Sequence, residues 1–103
     1  MKLVRDSEPV RMVYSAKRGW VEALGKVEGV VALLQPVSFF DAQAAEQAGT
    51  EKGEGEQVLA LVRAGLVGFE GTDTTPAEFL KDPRPQLLLS MFNAVHKLTW
   101  GNG

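Results

Sequence analysis

The chain has 103 residues, 45% of them hydrophobic and 23% charged, the balance of one globular domain rather than a disordered polymer or a fibrous repeat. It has no cysteine and a single histidine, which excludes a disulfide scaffold, a thiolate zinc site, an iron–sulfur cluster, a cysteine nucleophile and a multi-histidine metal site. A net charge of only -2 argues against a general binder of nucleic acid, whose footprint is a strongly basic surface.

Two short β-type runs open the chain, Lys2 to Val4 and Val10 to Tyr14. Between them Asp6-Ser7-Glu8-Pro9 has a turn composition, so the expectation is a β-hairpin or two edge strands. Ser15 to Gly19 reads as a basic connection of small residues. Trp20 to Leu34 carries conflicting signals. Val21, Leu24, Val27, Val30, Val31 and Leu34 have helix-like spacing, but Gly25 and Gly29 each disfavour a helix interior by about 1 kcal/mol. A strand over Glu28 to Leu34 is preferred, closed by Gln35-Pro36, because a residue before proline is pushed out of the α region.

Ser38 reads as an N-cap, with Asp41 in a position like that of a capping box. A helix from Phe39 through Ala42, Ala44 and Ala45 to Ala48 follows, and Gly49 is its expected stop. Thr50 to Gly55 reads as a mobile acidic loop. Glu56 to Ala64 resumes helix, with Val58, Leu59, Leu61 and Val62 on a wide apolar face and Gly65 at its end. Leu66 to Gly71 is extended, and Gly68 and Gly71 suggest a bend or a close backbone approach. Thr75-Pro76-Ala77-Glu78 is a strong helix start, Asp82-Pro83-Arg84-Pro85 breaks that helix, and Pro85 to Leu98 is the longest one. The predicted fold is α+β: a small N-terminal β-hairpin or short sheet packed against three to four helices, as one domain over residues 1–103. Val31, Leu33, Leu59, Val62, Leu88, Phe92 and Val95 are the expected core.

Candidate sites are few. His96 lies at the border of the apolar stripe of the last helix and reads as a partly buried structural histidine, with no catalytic partner marked by spacing. Glu51, Glu54 and Glu56 cluster between glycines without a calcium-loop pattern, so neither a metal nor another cofactor is expected. Arg5, Arg11, Lys17 and Arg18 with Tyr14 and Trp20 form either a small basic-aromatic patch or ordinary surface charge over buried rings. Phe39 and Phe40 are more telling. Adjacent helix positions point about 100° apart, so a narrow buried stripe seldom takes both. The expectation is one ring on the strand and the other exposed or covered by a second subunit. Trp20 and Trp100 are candidates for core or contact.

Charge is unevenly placed: +3 over residues 1–26, -7 over residues 27–80 and +2 over residues 81–103. The acidic middle is either a solvated face or a surface for a basic partner. No apolar run approaches the roughly 20 residues that span a bilayer, and residues 1–9 lack the apolar stretch of a signal peptide. No membrane association and a cytoplasmic location are therefore expected.

Val30-Val31-Ala32-Leu33-Leu34-Gln35-Pro36-Val37-Ser38 leads into the alanine-rich helix, and Val58 to Gly65 joins the segment Leu66-Val67-Gly68-Phe69-Glu70-Gly71 before a helical tail. Over about residues 28–98 this arrangement resembles the small tail assembly chaperones of long-tailed phages, prophages and gene transfer agents. In those proteins a strand runs into a proline and an Ala-rich helix, with a later Val-x-Gly-Trp-Glu-Gly segment. Here Phe69 stands in place of the common Trp, and Gln35 where a basic residue is frequent. The resemblance implies a non-enzymatic protein of the host cytoplasm that binds the tape measure protein, recruits tail tube protein and then leaves. Phe39, Phe40, Glu46 and Trp100 are the candidate partner-binding residues, and self-association into a homo-oligomer would add avidity. The alternative is a structural virion component, a head–tail connector or tail terminator.

Overall fold

Alternation along Val10–Ser15 (β1) sets the two faces of the sheet: Met12 and Tyr14 pack on the helices, while Arg11 and Val13 point to the opposite side. In the computed structural model, which describes residues 9–101, β1 is joined by Gly19–Glu22 (β2), Val31–Leu34 (β3) and Leu66–Glu70 (β4). All pairings are antiparallel and the strand order is β2-β1-β3-β4, so the fold is α+β. The expected strand over Lys2 to Val4 lies outside the described residues. The hairpin partner of β1 is β2, which the sequence reading did not assign as a strand. Residues 16–18 form the turn, and Gly19 at φ +71° takes the left-handed conformation that lets so short a loop close. Ser15 and Gly19 then pair, followed by Tyr14 with Trp20.

The third strand is shorter than expected, starting at Val31, and ends at Gln35-Pro36 as the proline rule requires. The Gln35 N–H donates to the Gly65 carbonyl at 2.9 Å, and the Val37 N–H donates to Thr99 Oγ1 at 3.1 Å. Ser38 caps the next helix, its hydroxyl accepting from the Asp41 N–H at 3.1 Å. That helix, Phe39–Lys52 (α1), runs through Gly49, against expectation. Gly49 is there for packing: a Cβ on it would lie 2.5 Å from Gln57 Oε1 and 2.8 Å from Gln57 Cβ. The true stop is Gly53 at φ +106°, whose N–H donates back to the Gly49 carbonyl. The same residue opens Glu54–Gly65 (α2), its carbonyl accepting from the N–H groups of Glu56 and Gln57. The expected mobile loop at Thr50 to Gly55 is thus a one-residue junction in a helical hairpin. Glu54 and Glu56 in the first turn of α2 complement its dipole.

Small residues draw the two helices together, with Ala42 and Ala45 buried along α1. The second helix buries Val58, Leu61, Val62 and Gly65 and passes directly into β4. The pairing of β3 with β4 skips one residue: Leu33 faces Gly68 and Leu34 faces Leu66, which leaves a bulge at Val67. The bend expected near Gly68 is this bulge. The close approach occurs at Gly71, at φ +83°, where a Cβ would lie 2.5 Å from the Gly29 carbonyl oxygen.

Pro76–Lys81 (α3) starts with a complete capping box, Thr75 Oγ1 accepting from the Glu78 N–H and Glu78 Oε1 accepting from the Thr75 N–H. Pro85–Trp100 (α4) buries Met91, Ala94 and Val95. Of the expected core, Val31, Val62 and Val95 are buried, while Leu33, Leu59, Leu88 and Phe92 are only half-buried. The centre is instead built on Leu34, Met91, Val62 and Val95, with Ala32 and Leu61 beside them. Trp20 is a core residue, its indole N–H donating to the Leu87 carbonyl at 3.1 Å and tying β2 to α4. Among the described residues no polar or charged side chain is buried.

Candidate protein-binding site

The entry of α1 meets the last turn of α4. The hydrogen bond from the Val37 N–H to Thr99 fixes this meeting, and Thr99 in turn donates to the Val95 carbonyl at 2.8 Å. Phe39 and Phe40 follow Val37 by two and three residues, and Trp100 follows Thr99 directly, so all three rings lie at one end of the molecule. Neither phenylalanine packs on the strand, contrary to the expectation that one would. Phe39 is 62% exposed and Phe40 78%, and their rings meet edge to face at 5.7 Å between centroids. They stand at the first two positions of α1, whose buried residues are Ala42 and Ala45. Trp100 is 49% exposed and belongs to the surface rather than the core.

Glu46 and Trp100 line the same small hollow, which Ala45, Gln57, Phe92 and His96 also line. His96 is exposed, not partly buried as expected. Its ring lies 6.0 Å from that of Phe92 and 6.4 Å from that of Trp100. The four-residue spacing of Phe92 and His96 on one helix face is legible in the sequence, and the structure extends it to Trp100. At about 20 Å³ this hollow has room for little more than one water, so any partner would meet Glu46 and Trp100 as surface groups at its rim rather than enter it.

The other sequence candidates do not assemble. Glu51, Glu54 and Glu56 are spread over the ends of two helices, and among the described residues no group of acidic or histidine side chains is arranged to hold a metal ion. The basic-aromatic patch divides across the sheet. Tyr14 and Trp20 face the helices, while Arg11 on the opposite face donates to Glu70 Oε1 at 3.1 Å and to the Gly25 carbonyl at 3.0 Å. Lys17 and Arg18 stand exposed in the hairpin turn, and Arg5 is outside the described residues. Among the described residues no helix is long and apolar enough to cross a membrane. No protein-family model, curated protein or solved structure matches the chain.

Proposed function

We propose that this protein is a non-enzymatic tail assembly chaperone of a phage or prophage, acting in the host cytoplasm on the tape measure protein and recruiting tail tube protein. The observation that carries the reading is the exposed aromatic pair Phe39–Phe40 at the start of α1, a helix that buries only alanines. An aromatic anchor with a polar rim is the usual energetic form of a protein interface. A long amphipathic helix, the chemistry of a tape measure protein, presents apolar side chains at the spacing such a surface takes. The sequence resemblance over about residues 28–98 gives the client its identity.

The test is co-expression with the tape measure protein, with pull-down and circular dichroism of each variant. Phe40→Ser is expected to leave the helical signal intact and weaken association by about 2 kcal/mol or more. If Phe39→Ser and Phe40→Ser both stay folded and still hold the client soluble, the surface is wrong. Mass spectrometry of purified particles separates the reading from a connector or terminator, because a chaperone leaves before the virion is complete.

A further inference from the structure

A second surface lies away from the Phe39–Phe40 end. Where β3 begins, the helix-facing side of the sheet is left partly uncovered by α3 and by the first turns of α4. The opening is a cleft of about 400 Å³. Four aromatic residues line it, in two edge-to-face pairs: Tyr14 with Trp20 and Phe69 with Phe79, each pair at 5.6 Å between ring centroids. The pairs are held from different elements. Trp20 is fixed by its hydrogen bond to Leu87 at the start of α4, and Phe79 is carried by α3, whose start is fixed by the capping box of Thr75 and Glu78.

The cleft carries a single charged side chain and a few hydroxyls. Glu28, exposed on the segment before β3, is the charged residue of the lining, and Thr72 and Thr74 supply hydroxyls from the segment after β4. No lysine, arginine or histidine lines it. Aromatic faces carry negative potential, and a carboxylate at the mouth adds to it, so an anion is disfavoured and a cation with an apolar body is favoured. The volume is that of a small ligand rather than of a helix.

We propose that this cleft binds a small organic cation of the quaternary or alkylated ammonium class, with its methyl groups against the rings of Tyr14, Trp20, Phe69 and Phe79 and its charge toward Glu28. This site is independent of the client surface and stands whether or not the chaperone reading does.

The experiment uses the full chain carrying Trp100→Phe, so that Trp20 is the single fluorescent indole. Choline is titrated against its uncharged carbon isostere, 3,3-dimethylbutan-1-ol, with Trp20 emission as the readout. Choline is expected to give a saturable change, and the isostere a Kd about five-fold weaker or no binding. Glu28→Gln, on an exposed side chain, is expected to raise the choline Kd about two- to five-fold without changing the melting temperature. Phe79→Leu keeps the cleft apolar but removes a ring, and is expected to weaken choline while leaving the isostere unchanged. No saturable change with choline overturns the proposal. Equal binding of choline and the isostere overturns it as well, because the cleft would then be merely apolar. Chemical shift changes in the amides of Thr74 and Phe79 locate the ligand. Their absence while emission changes places the ligand elsewhere and also refutes the site.

Discussion

Gly65 sits where α2, α4 and the end of β3 converge, and the space for a side chain there is already taken. A Cβ would lie 2.6 Å and 2.9 Å from the two methyl carbons of Val95 and 3.0 Å from the Gln35 carbonyl oxygen. Carbon–carbon contacts are comfortable at about 3.5–4.0 Å, so Gly65→Ala requires a shift of about 1 Å. Val95 resists it, being β-branched on a helix and fully buried in the cluster with Leu34, Met91 and Val62. The Gln35 backbone resists it too, because its N–H is bonded to the Gly65 carbonyl. Overpacking of this kind costs about 1–3 kcal/mol, offset by at most about 1 kcal/mol of helix propensity at the last residue of the helix. The expected net loss is about 1–2 kcal/mol, or roughly 5–15 °C in Tm. Gly55→Ala in the same helix is the control. Its Cβ would meet nothing within 4 Å, so the substitution is expected to be neutral or to stabilise by about 0.5 kcal/mol. Urea denaturation of both variants, and of Val95→Ala with and without Gly65→Ala, completes a double-mutant cycle. The methyl groups that collide are absent in the Val95→Ala background, so a coupling of about 1 kcal/mol or more is expected. If Gly65→Ala is as stable as the parent, or the two changes simply add, the close packing of α2 on α4 is wrong.

Met91, with no exposed surface, is expected to lose about 2–5 kcal/mol on change to Ala in chemical denaturation, whereas half-buried Leu88→Ala loses about 1–2 kcal/mol. Equal losses would place Leu88 at the centre of the core after all. Trp20→Phe removes the indole hydrogen bond but leaves the Leu87 carbonyl a share of the Ser90 hydroxyl, whose shorter bond is to Gln86, so the expected loss is about 1 kcal/mol by the same assay. A loss above about 3 kcal/mol would mean the indole does more than pin β2. For the proposed client, a fragment long enough for several copies is expected to bind at least about 10-fold tighter than a single-site fragment in calorimetry, and equal affinities would exclude avidity.

Signals confined to a few neighbouring residues were legible in the sequence. The Ser38 cap, the stop at Gln35-Pro36 and the start at Thr75-Pro76 depend on local hydrogen bonds and backbone sterics, and each is where the residues put it. The glycines show where such reading runs out. Gly49 and Gly53 are the same residue four positions apart, but one is a packing contact with Gln57 and the other a helix junction. Only the partner helix decides which. The missed strand β2 has a similar cause, since its pairing is set by Gly19 adopting positive φ and by Trp20 finding Leu87, a residue 67 positions away. At the candidate site, the angle between Phe39 and Phe40 was readable, but not that α1 would bury a stripe of alanines and leave both rings outside. The cleft formed by Tyr14, Trp20, Phe69 and Phe79 was invisible, because three strands and a helix bring its rings together from distant segments.

The exposed aromatic pair also bounds how a client would be held. A phenylalanine side chain presents on the order of 200 Å², so exposures of 62% and 78% leave about 280 Å² of aromatic surface in water. That approaches the largest apolar patch of a typical monomer, about 300–600 Å². Full burial at about 25 cal/mol per Å² is worth about 7 kcal/mol before any cost of association is taken off. Lost translational and rotational freedom alone costs an estimated 4–15 kcal/mol, so the pair by itself supports weak binding at best. Contacts from Trp100 and the carboxylate of Glu46 add to it, and a basic flank on the client would be steered by the charge of -7 over residues 27–80. A single weak site would suit the proposed role of holding a client and then being displaced. Under the proposed function, many copies along a long helix would keep the client covered, while each copy would be easy to remove as tube subunits arrive.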